Sequence, residues 1–587
     1  MQNGECLVRE LFDGIEQNRA IMRVFAVPPY QRAYAWSEDQ LKDFLNDLKT
    51  QPAGHPYFLG SVLLEKEATG NGLGFQVYKI VDGQQRLTTL TVFIACAISQ
   101  LVAASYNSPK HAMWRRLFLK DDNRQKFQTV ESDNEFFSTY IIGDAFPPTE
   151  SFETPSQRRL WIAKQYFRQA LTQLKPIEIE SLIEKVEMAK MLVYAVENRV
   201  DAAQIFELNN DRGKPLTDLE SIKSFLMYLT LLHAKNRDDL LKRIEGVFTQ
   251  IFRIAEDCEE LGAEQDENAI LRYHCIAFEK WGESEYSNPK QLVKDSVHTM
   301  QAEKVGGWIE EFCTRLRESF DISKALIGLA KSDEVIGDLF ALGRVGPFFP
   351  LLLKVFRYRD RGLDQFRRVT RLLEMFSFRA YGIANVRANT ASSRLYREAR
   401  DFCGDFDSLV SLLREMCSSW WSVEERFLAA LEGPDFYSQG SDARYFLWKY
   451  ENHLRGHSFP PIPLVDFLSQ DNRTGFSIEH IAAQKDDDVS SSKIEIDGRD
   501  EEFSRTYLHS IGNLVLDTRS DNSRKGCDPF LNKLASYREA PLRSQLELEK
   551  FAEHRGDGAF MWNKTSIQNR KSVLAEFAKA HWNPASV

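Results

Sequence analysis

Tyr78–Phe93 reads YKIVDGQQRLTTLTVF. A β-like run ends at Asp82-Gly83, and a helical run starts at once, with Gln84, Gln85 and Arg86 at the junction. Two uses fit that junction. Asp82 and Gln85 have the D-x-x-Q spacing of a capping box, in which Asp82 caps the helix and Gln85 returns the bond. A helix start also offers unpaired N–H groups and the positive end of a dipole, which suit a phosphate. Gly83 removes a side chain where a ligand approaches, and Arg86 can reach it as a bidentate donor. Residue types alone leave the two uses competing for the same donors.

Outward from the junction, RVFAVPPYQRAYAW (Arg23–Trp36) starts extended and is broken at Pro28-Pro29. SEDQLKDFLNDL reads as a helix capped by Ser37, with Leu41, Phe44, Leu45 and Leu48 on its apolar face. HPYFLGSVLLEKE and FQVYKIV read as strands joined through the turn NGLG, Asn71–Gly74. Residues 100 to about 230 are mainly helical and end in a new helix whose Thr217 and Glu220 have capping-box spacing. Residues 235 to about 430 carry helical periodicity with few strand signals. From about 440 strands return in FSIEHIAAQ and HSIGNLVLDTRS, with the polar stretch KDDDVSSSKIEIDGRDEE between them as a surface loop. SIQNRKSVLAEFAKAHW closes the chain as an amphipathic helix. The expectation is an α+β, predominantly helical fold with domains over 1–230, 231–435 and 436–587.

The chain has 587 residues, 43% hydrophobic and 27% charged, which is ordinary globular composition. A net charge of -10 argues against a non-specific nucleic-acid coat protein, while leaving room for a local basic groove. Arg357 to Arg400 holds eleven arginines, no lysine and four acids. Arg357, Arg361, Arg368 and Arg371 fall on one helix face, which is either a solvated face with internal ion pairs or a phosphate-tracking surface. The exclusion of lysine tilts the balance to phosphate. The eight cysteines form no C-x-x-C pair, as expected of reduced thiols in a cytoplasmic protein. No secretory signal is legible, and Thr89–Ser105 is too short and polar for a membrane span, so a buried helix is expected there.

In the C-terminal region Glu479-His480 ends one strand, Asn513 stands in a second, and Asn522 follows in a polar loop leading into a helix. Phosphodiester cleavage needs a base, a cation for the developing charge, and ligands that place the cation. A histidine supplies a base near neutral pH, and Glu479 with the Asn522 amide oxygen are hard ligands suited to Mg²⁺. Adjacent strand residues point to opposite faces, so Glu479 and His480 converge only at a twisted strand end.

IEHIAAQ … IGNLVLDTRSDNSRKGCDPFLNKL closely resembles an HNH (ββα-metal, His-Me finger) nuclease motif. It is similar to the C-terminal nuclease domain of GmrSD-type, modification-dependent (type IV) restriction enzymes. Their pattern is an E-H pair, then G-N-L, then N with a downstream F and K, here Glu479, His480, Gly512-Asn513-Leu514, Asn522, Phe530 and Lys533. NLVLDTRSDNSRKG is also similar to the HNH domain of RNA-guided CRISPR nucleases. The resemblance implies His480 as general base, Glu479 and Asn522 as metal ligands, Asn513 as brace of the loop carrying His480, and Lys533 facing phosphate. One departure is AAQ after His480, where a proline is common. His509 is a weaker candidate for a second base or ligand and reads as structural by default.

IVDGQQRLTTL matches the (I/V)DGQQR signature of the N-terminal domain of the same enzymes, which is similar to the ParB/sulfiredoxin-like nucleotide-binding fold. VPPYQRAYAW (Val27–Trp36) and FELNNDRGKPLTDLESIKSF (Phe206–Phe225) resemble its accompanying motifs. The resemblance implies binding and hydrolysis of an NTP at Gln31, Arg32, Asp82, Gly83, Gln84, Gln85 and Arg86, with Asn209, Arg212 and Lys214 in a second tier. Tyr30, Tyr34 and Trp36 either stack on a base or pack in the core. The expected whole is a nucleotide-regulated endonuclease of anti-phage defence, acting with Mg²⁺ on double-stranded, modified phage DNA as a homodimer. The alternatives are a toxic DNase indifferent to modification, or an NTP-switched DNA-binding protein with an inactive nuclease domain.

Overall fold

The computed structural model describes the chain apart from residues 1–2, 14, 17–18, 53–55, 68–74, 107, 122–123, 144, 146–151, 198–216, 263–264, 280–287, 299, 360–362, 388, 472–474, 485–499 and 555–558. The NGLG turn, the polar stretch before Asp500, and Asn209, Arg212, Lys214 and Arg361 thus lie outside the described residues. The chain divides into two compact units, Met1–Arg272 with Ser284–Lys324, and Tyr273–Glu283 with Ala325–Val587. The helices expected as a separate middle domain are shared out between them. Their apolar stripes find partners within each unit: Arg237–Glu260 packs on Asp218–His233, and Leu363–Phe376 packs on Phe406–Ser418.

Unit 1 is built on a six-stranded mixed sheet of β1 (Gly4–Leu7), β2 (Met22–Ala26), β3 (Phe58–Lys66), β4 (Phe75–Asp82), β5 (Phe127–Gln128) and β6 (Lys190–Val196). Its order is β1-β6-β3-β4-β2-β5. Strands β3 and β4 pair antiparallel, whereas β4 and β2 run parallel. In β4 the alternating residues Gln76, Tyr78 and Ile80 are buried, the period-2 pattern of a strand with one covered face. Around the sheet lie α1 (Glu38–Thr50), α2 (Gln84–Ala103), α3 (Pro155–Thr172), α4 (Pro176–Glu187), α5 (Asp218–His233) and α6 (Arg237–Glu260). The four apolar residues expected on α1 are all buried. The expected capping box of α5 is formed: Glu220 N–H donates to Thr217 Oγ1 at 3.3 Å, and Thr217 N–H to Glu220 Oε2 at 3.1 Å.

Helix α2 is the centre of this unit. It is apolar nearly all round, which suits a helix covered on every side, and it packs on α3 and α4. Among the described residues it is the one helix long and apolar enough to cross a membrane, and 72% of its most apolar window is buried inside the protein. Leu87, Leu90, Phe93, Ile94 and Ala97 lose all contact with water, and burial of a large apolar side chain stabilises by roughly 1.5–3 kcal/mol. It is the core helix expected over Thr89–Ser105.

In unit 2 the helices include α7 (Phe349–Arg357), α8 (Leu363–Phe376) and α9 (Ser441–Arg455). They are followed by β7 (Phe476–His480), β8 (Leu514–Thr518), α10 (Arg519–Lys525), α11 (Phe530–Glu539) and α12 (Lys564–His581). Strands β7 and β8 are antiparallel, with Ser477 opposite Asp517 and His480 opposite Leu514. Helix α10 follows β8 without a loop, capped by Thr518, whose Oγ1 accepts from Asp521 N–H at 3.1 Å. Beneath the strands lies a core of Ile481, Val515, Phe530, Leu534, Tyr537, Trp562 and Ile567. Close packing also sets the glycine of the G-N-L motif: a Cβ on Gly512 would stand 2.1 Å from the Ile567 carbonyl oxygen of α12. All eight cysteines are unbridged, and five are buried.

Candidate functional sites

In unit 1 the structure overturns the capping box at the opening junction. Asp82 is the last residue of β4, and Gly83 precedes α2 with φ 90° and ψ 9°. That left-handed turn, open to glycine, swings Asp82 out of the capping position, and no side chain caps α2. A Cβ on Gly83 would lie 3.0 Å from the Ser61 carbonyl oxygen, so the glycine makes room for β3. Gln85 turns to the VPPYQRAYAW segment, donating to Ala33 O at 3.0 Å and accepting from Ala35 N–H at 2.9 Å. Gln84 donates to Arg32 O at 3.0 Å, and Gln31 donates to Val81 O at 2.8 Å. The three glutamines therefore stitch the two sequence motifs together. Arg86 lies 3.8 Å from Asp82. Burial raises the Asp82 carboxyl above its usual range, against the pull of Arg86.

Two charged residues at this junction were missed in the sequence. Lys223 is buried and donates to Gln31 Oε1 at 3.1 Å and to Tyr30 O at 3.2 Å. Burial lowers its ammonium to about 8. Its signal was a lysine set among Leu219, Ile222 and Leu226 on the buried side of α5. Glu267 pairs with Arg32 at 3.2 Å and has no local sequence cue. Tyr34 is a core residue, sharing a hydrogen bond with Thr89 at 2.8 Å, and Tyr30 is buried. Gln84 Oε1 is buried with no hydrogen-bond partner among the described residues. Beside Gln31 and Ala33 a cavity of about 430 Å³ is lined by Glu131, Glu153, Phe252, Arg253 and Glu256, among others.

In unit 2, His480 ends β7 and is buried. Its Nε2 lies 3.1 Å from His509 Nδ1, and its Nδ1 lies 2.9 Å from the amide nitrogen of the exposed Gln484. Tyr437 stacks on the His509 ring at 5.7 Å and meets His480 edge-on at 4.6 Å. The Tyr437 and Phe436 N–H groups both donate to His509 O, which fixes the segment that carries the second histidine. Asn513 is fully buried and saturated. Its Oδ1 accepts from Ala482 N–H at 2.9 Å and Trp562 Nε1–H at 3.0 Å, and its Nδ2 donates to Ala482 O at 3.1 Å and Leu508 O at 2.8 Å. It thereby clamps the stretch after His480 to the stretch before His509.

Glu479 points to the other face of β7, as strand alternation dictates. It is buried, accepts from Lys533 Nζ at 2.6 Å and from Tyr537 OH at 3.2 Å, and burial raises its carboxyl against the pull of Lys533. Lys533 also donates to His480 O at 2.9 Å and is itself buried, so it faces Glu479 where a phosphate contact was expected. Asn522 turns its Nδ2 to Ser477 Oγ and Ile478 O, both at 2.9 Å. Among the described residues no cluster of three or more His, Cys, Asp or Glu side chains could hold a metal. Glu479, the carboxylate expected to hold Mg²⁺, is here paired with Lys533.

The arginine stripe is also corrected. Arg357 ends α7 and lies 5.7 Å from the Phe278 ring centroid, whereas Arg368 and Arg371 belong to α8, so the residues do not share a helix. Arg371 bonds Glu374 Oε2 at 2.8 Å and His581 O at 2.9 Å, and Arg368 donates to Val587 O at 3.1 Å. Their guanidinium groups meet carbonyls at and beyond the C-terminal end of α12, where a helix end favours cations.

Residues 8–227 match the family described as the N-terminal domain of GmrSD restriction endonuclease, and residues 421–577 match the C-terminal domain of GmrSD restriction endonucleases. A search of curated proteins finds no match to the chain. Both matched regions carry the sites just described, and by class the protein is a restriction endonuclease. It belongs to the GmrSD family, with the N- and C-terminal domains in one polypeptide and more than half of its length covered by the two matches.

Proposed function

We propose that the protein is a nucleotide-regulated, modification-dependent DNA endonuclease of anti-phage defence, with the β7–β8–α10 element serving as its HNH nuclease centre. The observation that carries the hydrolytic part is the His480–His509 hydrogen bond at a strand end, 3.1 Å long and clamped by Asn513. With the Gln484 amide donating to Nδ1, the neutral His480 ring carries its proton on Nε2 and donates it to His509 Nδ1. Attacking water displaces Gln484, gives a proton to Nδ1, and bonds phosphorus through its oxygen. The bond from phosphorus to the leaving oxygen then breaks, its electron pair staying on that oxygen, which takes a proton from solvent. His509 keeps its hydrogen bond to Nε2–H throughout and steadies the imidazolium, the part an orienting partner plays for a histidine base. No step is routed through a divalent cation.

The nucleotide part rests on the uncapped start of α2, with Arg86 beside it. For a nucleotide to gate cleavage, it must bind two conformations of the protein with different affinity. The same reading takes double-stranded, modified phage DNA as substrate, an NTP as ligand, a homodimer as the cutting form, and the cytoplasm as its place.

The test is a cleavage panel on unmodified, glucosylated-hydroxymethylcytosine and phosphorothioated DNA, with and without each NTP, in Mg²⁺. Cutting confined to a modified DNA, and lost in His480→Ala, supports the reading. Equal cutting of all DNAs favours the toxic DNase, and full activity in His480→Ala removes His480 from the mechanism.

A further inference from the structure

On the α10 side of β7 lies an open cavity of about 440 Å³, lined by Arg444, Phe476, Ser477, Arg519, Asn522 and Ser523. Among the described residues no carboxylate lines it. Arg444 comes from α9 and donates to Phe476 O at 3.3 Å, with its guanidinium 5.0 Å from the Phe467 ring centroid. Arg519 opens α10. Its backbone N–H donates to Gly475 O at 2.8 Å, and its side chain donates to Gln470 O at 3.3 Å and Gln470 Oε1 at 2.8 Å. Among the described residues neither arginine has a carboxylate partner. Burial, and then the neighbouring Arg519, push the Arg444 guanidinium down. Two like charges held together without a counterion form a site for an anion. Ser477 adds a donor: its Oγ accepts from Asn522 Nδ2 at 2.9 Å, and its O–H is left to point elsewhere.

We infer that this cavity is a subsite for a backbone phosphate of the DNA strand, held by Arg444, Arg519 and the Ser477 hydroxyl. It rests on the endonuclease reading above and supplies what the α7–α8 arginines do not. Ser477 stands three residues before His480 on β7, roughly 10 Å along the strand. The odd separation puts Ser477 on the face of β7 opposite His480, so a phosphate there lies away from the scissile bond. The contact is to backbone alone, so it carries affinity and register, with no reading of sequence or modification.

The experiment measures fluorescence anisotropy of an unmodified 30-base-pair duplex with the full-length protein, in a His480→Ala background that prevents cutting. Arg444→Gln and Arg519→Gln are each expected to weaken binding roughly 5–30-fold and to lower the slope of log affinity against log salt by about 0.9, one phosphate contact. Arg444→Lys and Arg519→Lys keep the charge and most of the slope. Arg400→Gln, at an exposed arginine paired with Asp401, changes neither. Unchanged affinity and slope in the double glutamine variant overturn the proposal. So do lysine and glutamine variants that are equally weak, or a protein that does not bind the duplex. Cleavage by the otherwise wild-type protein and by His480→Ala is scored separately. Full cutting by His480→Ala removes the endonuclease reading at His480, whereas the salt slope decides the phosphate site.

Discussion

Lys533 holds its ammonium 2.6 Å from the Glu479 carboxylate, and both side chains are buried beneath the strand that ends in His480. Removing one partner strands the other charge out of water. Glu479→Ala and Lys533→Ala are each expected to cost about 3–5 kcal/mol in denaturant unfolding. The double variant Glu479→Gln, Lys533→Met is expected to cost less than the sum, since no lone charge remains. Glu479→Gln that is as stable as wild type but inactive would return Glu479 to the reacting centre.

His509→Ala is expected to lower kcat roughly ten- to a hundredfold with KM for DNA unchanged, because the His480 proton is no longer held on Nε2. His509→Asn, which keeps a hydrogen-bonding atom near the Nδ1 position, should restore most of the rate. Nitrogen-15 spectra of the His480 ring report the tautomer without any cleavage. A His480 spectrum unchanged in His509→Ala would leave His509 as packing for Tyr437.

Glu256, on the cavity beside Gln31, is raised from 4.5 to about 7, first by burial and then by Asp133. A carboxyl raised on folding favours the folded state when protonated. Its contribution is present in full below about 4.5 and is lost as pH rises through 7. Between pH 5.5 and 8 unit 1 should lose about 1–2 kcal/mol, discounted for partial exposure. Glu256→Gln is expected to flatten that slope in chemical unfolding at the two pH values. An equal slope in wild type and variant would place the titration elsewhere.

Arg86 makes a long, half-exposed contact with Asp82, 3.8 Å apart. Arg86→Ala is therefore expected to shift unfolding by less than about 1 kcal/mol. NTP turnover should fall by at least about a hundredfold if the guanidinium meets phosphate there. A collapse of stability with hydrolysis per folded molecule retained would make the α2 start a structural joint.

The two strands before Asp82-Gly83, the core helix after it, and the strand–strand–helix order around His480 were legible because each rests on a local period or turn residue. Leu41, Phe44, Leu45 and Leu48 are buried as their spacing indicates. The failures were matters of direction and partner. The capping-box spacing at Asp82 was real, but a left-handed Gly83 removed Asp82 from the helix end. Adjacent Glu479 and His480 were assigned to one centre, and strand alternation sent them to opposite faces. Arg444 and Arg519 belong to elements far apart in sequence, so no window along the chain contains both. Lys223 looked like one more charge in a polar motif until its place among the leucines of α5 was seen.

The Asn513 clamp has a consequence for synthesis. Its Oδ1 is held by Trp562, and the carbonyls of Gly512 and Leu514 on either side of it accept from Arg570 at 3.0 and 2.6 Å. Trp562 and Arg570 lie downstream of both histidines, so a ribosome makes the dyad first and its support afterwards. A nascent chain that has just displayed His480 and His509 lacks the groups that fix their spacing. Ordering of the His480–His509 pair is thus tied to the arrival of α12, the last α-helix of the chain to be made.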